Sequence, residues 1–336
     1  MLSFMPVPAS SVAIERPCLY LVATPIGNLA DVTVRALQMI AQCDLLLAED
    51  TRTTARLLDH YGIARTAQAL HEHNEREQAP ALASRIRTEN LAAVLVSDAG
   101  TPLLSDPGFP LVQAALAENI TLRAVPGASA ALAALSVAGL PSDRFSFEGF
   151  LPAREAAART RLERLVTEDR TLIFYESPRR VARTLALMQA VFGADRPACV
   201  SRELTKLYET QYRGSLADVT SQVVADPYGA TGEFVVLVGP APASALAVHE
   251  VRRVLQTLAT QVTRRTAIEL TASILGRSRN EVYAVALAMP DTAPAELSIA
   301  QGAGDTTPGE SVRRSLEGPL KGLLEESPGS IGQDAR

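Results

Sequence analysis

Short apolar runs alternate with longer amphipathic stretches from residue 18 to residue 240. The runs at 18–24 (CLYLVAT), 44–48 (DLLLA), 92–97 (AAVLVS) and 120–125 (ITLRAV) are almost wholly apolar. That is the pattern of strands covered on both faces. Between them the spacing predicts a helix over 32–42 capped by Asp31, and a second in EDTRTTARLLDHYG closed by Gly62. A third runs up to Glu118, and a fourth, strongly apolar, is opened by PGASA. Strands and helices in alternation predict α/β units on a largely parallel sheet.

A second series begins near residue 144. Its strands fall at 145–151, 171–175, 197–201, 208–213 and 232–238, with helices at roughly 154–168, 178–191 and 215–225. Segments 197–201 and 208–213 lie close enough for hairpin-like pairing, so this half is expected to be mixed. The pattern divides the chain into an N-terminal extension (1–17), a first α/β domain (18–141), a second (142–240), a helical section (246–289) and a tail (290–336). The helical section breaks near Val262 and Gly276, with Thr263 and Ser278 placed to cap helices. The tail has no aromatic residue and is rich in Gly, Pro, Ser and acids, a composition that predicts disorder.

Composition narrows the class. The 336 residues are 47% hydrophobic and 21% charged, ordinary for a globular protein of about two domains. No apolar stretch approaches the roughly 20 residues of a membrane span, and no basic region precedes an apolar core at the N-terminus. The expectation is a cytoplasmic protein. Cys18, Cys43 and Cys199 lie far apart, against both a disulfide frame and a zinc site. The net charge is −5, and four of those charges belong to the tail. Residues 246–289 instead carry six arginines and three glutamates. A three-helix unit with that surplus reads either as a helix-turn-helix touching nucleic acid or as a packing appendage. Of 32 basic residues only Lys206 and Lys321 are lysine, which singles out Lys206 as a place where arginine's planar fork would not serve.

The dinucleotide, P-loop, zincin and α/β-hydrolase signatures are all missing. Three loops are present instead, each after an apolar strand: TPIGN (24–28), SDAGTPLLSDPG (97–108) and VPGASA (125–130). Ligands of open α/β sheets bind outside the carboxyl ends of the strands. Pro and Gly in each loop set an unusual backbone that a ligand can approach closely. Hydroxyls at Ser97, Thr101, Ser105 and Ser129 and carboxylates at Asp98 and Asp106 suit a polar organic cofactor.

LYLVATPIGNLADVT, AEDTR, HEHNE, VSDAGTPLLSDPG, VPGASA, GFLP, FYESPRR, SRELTKLYE and GEFVVLV, in this order, closely resemble the ribosomal RNA small subunit methyltransferase I family. The resemblance covers about residues 18–289. It implies the tetrapyrrole methylase fold, S-adenosyl-L-methionine (SAM) as cofactor, a homodimer, and methylation of the ribose 2′-hydroxyl of a cytidine in 16S rRNA. Since the sequence shows no metal-ligand cluster and a sulfonium needs no Lewis acid, no metal is expected. Carried over by position, it implies cofactor contacts at Pro25, Gly27, Asp98, Gly100, Thr101, Pro102, Ser105, Pro126, Gly127 and Ser129. Gly149, Leu151 and Pro152 then border the adenosine side at the crossing between domains. Thr101 stands where the superfamily usually has Asp, which argues against a tetrapyrrole substrate.

Attack of a 2′-hydroxyl on a methyl sulfonium needs positioning above all, helped by a base or a cation. The candidates are Glu49, Asp50, Arg52, His73, Asn74, Glu75 and Lys206, with the base left open. Asp50 also fits a helix cap, and Glu49 with Arg52 an ion pair. His71 and His73 alternate as on one strand face. Arg179 and Arg180 read either as holding RNA phosphate, the favoured reading, or as capping a helix. Two rivals remain at this stage: a methylase of tetrapyrroles or other small molecules in the same superfamily, and a non-catalytic RNA-binding assembly factor.

Overall fold

The structure, a computed structural model, describes residues 13–289. The first sheet is parallel throughout, in the order β3-β2-β4-β1-β5. Its elements are β1 (Cys18–Val22), α1 (Val34–Gln42), β2 (Leu45–Ala48), α2 (Thr51–His60), β3 (Ala67–Ala69), α3 (Glu75–Thr88), β4 (Ala92–Val96), α4 (Phe109–Ala117), β5 (Thr121–Val125) and α5 (Ala130–Val137). Period-2 alternation sends Cys18, Tyr20, Val22, Val94 and Val96 to the face covered by α1 and α2. Leu19, Leu47, Ala93 and Leu95 go to the face covered by α3 and α4. Both sets are buried, which is why these strands carry no polar alternation.

The second sheet has the order β6-β7-β10-β8-β9, and only β6 and β7 run parallel. It comprises β6 (Phe145–Phe150), α6 (Glu155–Glu163), β7 (Thr171–Glu176), α7 (Val181–Phe192), β8 (Pro197–Arg202), β9 (Thr210–Ser215), α8 (Leu216–Ala225) and β10 (Phe234–Val238). Helices α6 to α8 cover one face. The other face receives α5 of the first half: Ala131, Ala134 and Leu135 pack with Ile173, Cys199, Val235 and Leu237. In the sequence of α5, AALAALSV, the residues Ala131, Ala134 and Leu135 are buried on the second sheet while Leu132 and Val137 stay exposed. Its alanines let it lie close to the second sheet, and each fully buried Leu or Val contributes roughly 1.5–3 kcal/mol. Helix α5 is therefore the joint between the halves.

Three helices follow: α9 (Ala243–Ala259), α10 (Arg264–Leu275) and α11 (Arg279–Leu287), around a small core of Val251, Leu255, Ile268 and Val282. Thr263 and Ser278 cap α10 and α11 as their sequence positions predict, and Gly276 ends α10 in the left-handed conformation.

Three expectations need correction. The cap of α1 is Thr33, not Asp31, which lies in a short 3-10 turn capped by Asn28. Strand β3 and helix α3 were not predicted, and α3 holds Pro80 in its interior. His71 and His73 sit in the loop between β3 and α3, not on a strand; their rings meet edge to face at 5.9 Å. The tail at 290–336 lies outside the described residues. Of the N-terminal extension, residues 13–17 are described: Arg16 pairs with Asp44, and Glu15 with Arg123.

Candidate active site

Strands β4, β1 and β5 are neighbours, so the loops that follow them lie side by side. They are stitched by backbone. Thr24 N–H donates to Gly100 O at 2.8 Å and Gly100 N–H to Thr24 O at 3.0 Å. Thr101 Oγ1 donates to Ala128 O at 3.1 Å, which ties the second loop to the third. Gly100 has φ +84°, and an added Cβ would come within 3.2 Å of Ile26 Cγ2. Leu103 and Ser105 hold φ of +74° and +72° without being glycine, strain of the kind that clusters at functional sites. The second half reaches the same place. A bulge in β6 between Phe147 and Gly149 brings Gly149 so near that its Cβ would lie 3.1 Å from Ser105 Oγ.

These loops enclose a cavity of about 290 Å³ between the two halves. The first half supplies Ile26, Glu49, Asp98 to Thr101, Ser105, Asp106 and Ser129, and the second supplies Phe150, Tyr175, Leu204, Glu233 and Val235. Burial, helped by the carboxylates of Asp98 and Asp50, pushes Glu49 above the usual carboxylate range. Burial does the same to Asp98 against a hydrogen bond from Asp50 N–H, which donates to Asp98 Oδ1 at 3.0 Å. Asp106 is raised to about 7 by burial and by Glu49. Three carboxylates that resist ionising beside one another make the cavity receptive to a cation. Ser129 Oγ is buried there with no hydrogen-bond partner, at the N-terminus of α5, where it caps nothing. Phe150 and Tyr175 form an edge-to-face pair at 5.7 Å on the opposite wall.

A second cavity of about 450 Å³ lies behind part of the same wall, sharing Ile26, Asp98, Ala99 and Glu233 with the first. Thr24, Pro25, Gly27, Leu29, Thr53, Thr54, Arg56, Leu57, Ser97 and Lys206 complete it. Lys206 Nζ donates to Glu203 Oε1 at 2.8 Å and Glu233 Oε2 at 3.1 Å. Burial works against its charge, but these two hydrogen bonds outweigh it and hold the pKa above the ordinary lysine value. Lys206 is thus a firm cation and not a base. Its stem lies over Gly27, where a Cβ would be 2.6 Å from Lys206 Cγ.

Of the sequence candidates, Glu49, Asp98, Gly100, Thr101, Ser105 and Ser129 line the first cavity, and Pro25, Gly27 and Lys206 the second. Others stand apart. Asp50 caps α2 and pairs with Arg52 at 2.6 Å; Arg52's hydrogen bonds hold Asp50 down at about 2, too weak a base to take a hydroxyl proton. The Arg52 side chain is 86% exposed. Asn74 accepts from His71 N–H and Glu75 from Gly108 N–H, so both brace loops, and His73 is exposed beside them. Pro102 is buried away from the cavity. Pro126 is exposed, and Gly127 lets Ala23 approach, its Cβ position being 2.9 Å from Ala23 Cβ. Leu151 belongs to the second half's core. The carbonyls of Leu151 and Pro152 accept from Arg180 Nη2, and Arg180 also pairs with buried Glu176. Arg180 is therefore a strut rather than a phosphate ligand, while Arg179 stays exposed. Sequence reasoning missed Phe150, Tyr175 and Glu233, although each lies in a motif it quoted. Among the described residues no His, Cys, Asp and Glu side chains form a metal-binding group.

The Tetrapyrrole (Corrin/Porphyrin) Methylases family matches residues 18–220, and the RsmI C-terminal HTH domain matches 245–290. The ribosomal RNA small subunit methyltransferase I of Xylella fastidiosa is 49% identical over 267 residues, spanning 79% of this chain and 97% of that protein. The chain belongs to the ribosomal RNA small subunit methyltransferase I family of tetrapyrrole methylases. The like-named protein of Pseudomonas aeruginosa is 48% identical over 272 residues, spanning 80% of this chain and 96% of its own length. That of Escherichia coli O157:H7 is 43% identical over 277 residues, 80% of this chain and 94% of that protein. A diphthine synthase crystal structure shares the fold, with a TM-score of 0.51 at 15% identity over 66% of this chain and 90% of that one. The fold expected from sequence, two α/β units and a helical C-terminal unit, is the fold observed, and the chain is an enzyme of methyl transfer.

Proposed function

We propose that this chain methylates the ribose 2′-hydroxyl of a cytidine in 16S rRNA, using SAM. The observation that carries the reading is the first cavity: an orphaned buried hydroxyl at Ser129 and three crowded carboxylates, in a chain of this family. SAM, when bound, supplies a methyl group on a cationic sulfonium. Glu49, Asp98 and Asp106 would favour that cation, since a charge between carboxylates relieves their mutual repulsion. Ser129 Oγ would find there the polar partner the protein does not give it. Phe150, Tyr175 and Val235 offer an apolar wall for a purine. On the acceptor side, the Lys206 ammonium is placed to steady negative charge growing on an attacking oxygen. The arginine surplus of α9 to α11 would meet RNA phosphate.

A homodimer and a cytoplasmic site belong to the same reading. No helix among the described residues is long and apolar enough to cross a membrane. Exposed apolar side chains at Phe109, Leu116 and Leu132 suit cover by a second copy, and sedimentation of the full chain tests that. The function is tested by primer extension at low nucleotide concentration on rRNA from cells lacking the protein. A ribose-methyl stop present in the parent and absent in the deletion strain, restored by purified protein and SAM, is the expected result. An unchanged stop pattern refutes it.

A further inference from the structure

The second cavity is larger than the first and opens on the other side of a wall only a few residues thick. Its floor is apolar, with Ile26 and Leu57 buried and Leu29 partly exposed, and its rim carries Thr53, Arg56 and Lys206. Among the described residues no carboxylate pairs with Arg56, which stands exposed on α2. Apolar Ile26, Leu29 and Leu57, hydroxyls of Thr24, Thr53, Thr54 and Ser97, carboxylates of Asp98 and Glu233, and the cations of Arg56 and Lys206 suit one nucleotide: a flat base, a ribose and a phosphate at Arg56. A base still stacked in a helix could not reach a recess beneath α2, so the nucleotide must leave its stack, as it does for enzymes that modify single bases.

The shared wall holds two carboxylates, Asp98 and Glu233. Glu233 is committed to Lys206, and its side chain is mostly solvent-exposed. Asp98 Oδ1 accepts from Asp50 N–H, and no hydrogen bond to Oδ2 occurs among the described residues. Asp98 lines both cavities, and burial pushes its carboxyl up from the ordinary aspartate value.

We propose that the second cavity seats the acceptor nucleotide, extruded from its RNA strand, and that Asp98 takes its 2′-hydroxyl proton. The inference rests on the function proposed above. In the step, an oxygen lone pair of the 2′-hydroxyl forms the bond to the methyl carbon. The sulfur–methyl bond breaks with its electron pair staying on sulfur, which loses its positive charge. The hydroxyl proton passes to Asp98 Oδ2, and then to solvent. Asp98 touches the reacting oxygen; Arg56 and Thr53 position the nucleotide.

Three variants test this with small ribosomal subunits as substrate. Asp98→Asn keeps an oxygen acceptor for Asp50 N–H and should fold. Its single-turnover rate at saturating SAM should fall at least 100-fold, beyond any weakening of SAM binding read by calorimetry. Thr53→Leu fills the second cavity and should raise KM for RNA tenfold or more at unchanged SAM affinity. Arg56→Ala, at an exposed position, should raise the same KM about fivefold and serves should Thr53→Leu not fold. A hairpin RNA with pyrrolocytidine at the mapped acceptor position, mixed with wild type and S-adenosylhomocysteine, should brighten as the base unstacks, and should stay dim with Thr53→Leu or show a right-shifted titration with Arg56→Ala. Loss of SAM affinity in Thr53→Leu would assign the second cavity to the cofactor and overturn the proposal. So would an Asp98→Asn rate within tenfold of wild type, or unaltered RNA kinetics in both cavity variants. Wild type that transfers no methyl group to small subunits would instead refute the underlying function.

Discussion

Gly27→Ala isolates the part played by Lys206. The backbone at Gly27 lies outside the left-handed region, so alanine adds no conformational strain there. The new methyl would sit 2.6 Å from Lys206 Cγ, 2.9 Å from Lys206 Cε and 3.0 Å from Leu204 O. The backbone carbonyl cannot yield easily, so the flexible lysine must. Swinging away breaks the hydrogen bonds to Glu203 and Glu233. These are partly exposed ion pairs, worth about 0.5–1 kcal/mol together after solvent screening. A melting-temperature drop of roughly 1–2 °C is the expected structural effect. The effect on turnover should be far larger. Displacing a preorganised charge by about 1 Å costs up to about 100-fold, and removing it about 100–1,000-fold. Tritium transfer from SAM to small subunits should therefore show kcat falling about 10–100-fold, with SAM affinity by calorimetry unchanged. Lys206→Met, which keeps the stem and loses the charge, should match or exceed that fall. A variant that melts about 1–2 °C lower yet turns over like wild type would show that Lys206 is only a strut, and the catalytic argument would fail.

Ser129→Ala should weaken SAM binding about 5–10-fold, one hydrogen bond's worth, while leaving the melting temperature level or slightly higher, because the hydroxyl has no protein partner to lose; weaker binding together with a lower melting temperature would mean the hydroxyl supports the fold. Asp106 is raised to about 7 in the folded chain, so between about pH 4 and pH 7 the folded state binds the extra proton and stability falls as pH rises. Asp106→Asn should thus stabilise the chain more at pH 8 than at pH 5, and the preference for SAM over neutral S-adenosylhomocysteine should grow from pH 6 to pH 8 in wild type only, both readable by melting and calorimetry. In the helical unit, Arg252→Ala, Arg253→Ala and Arg277→Ala together should weaken RNA binding and flatten its salt dependence without lowering stability, since these side chains are exposed; an unchanged salt slope would mark the unit as packing only.

The sheets were legible because strands covered on both faces must be apolar throughout, and the caps at Asp50, Thr263 and Ser278 because a hydroxyl or carboxylate before a helical period has one obvious use. Helix α3 escaped notice for a physical reason. Ala79, Leu82, Ala83 and Ile86 do recur at helical spacing, but Pro80 lies among them and reads as a break. The fold tolerates it on the exposed side. The loop residues of the site were legible from the first half alone, since Gly100, Asp98 and Ser129 all sit at strand ends. Phe150, Tyr175 and Glu233 were not. They come from β6, β7 and the approach to β10, and only the packing of α5 against the second sheet carries them to the cavity. Asn74 and Glu75 show the opposite failure: their chemistry suits catalysis, yet the fold spends it on backbone N–H groups of neighbouring loops.

Lysine at position 206, in a chain whose other basic residues are arginine except for Lys321, now has a structural reason. The side chain must pass over Gly27, where even one methyl group would not fit, and then end between the carboxylates of Glu203 and Glu233. A slender four-carbon stem ending in a compact ammonium does both. Arginine would bring a planar fork of three nitrogens to a place with room for one, and its rigid plane could not turn to meet Glu203 Oε1 and Glu233 Oε2 from above the glycine. Glu203 and Thr205 hold positive φ in the same loop, at +53° and +65°, so the backbone itself is bent to deliver this ammonium. Strain at two residues and a glycine kept bare beneath the stem are costs that ordinary surface ion pairing, worth well under a kilocalorie per mole, would not offset. Such costs are offset at a site where the placed charge acts on something other than the protein, and here it faces the cavity that the acceptor nucleotide is proposed to fill.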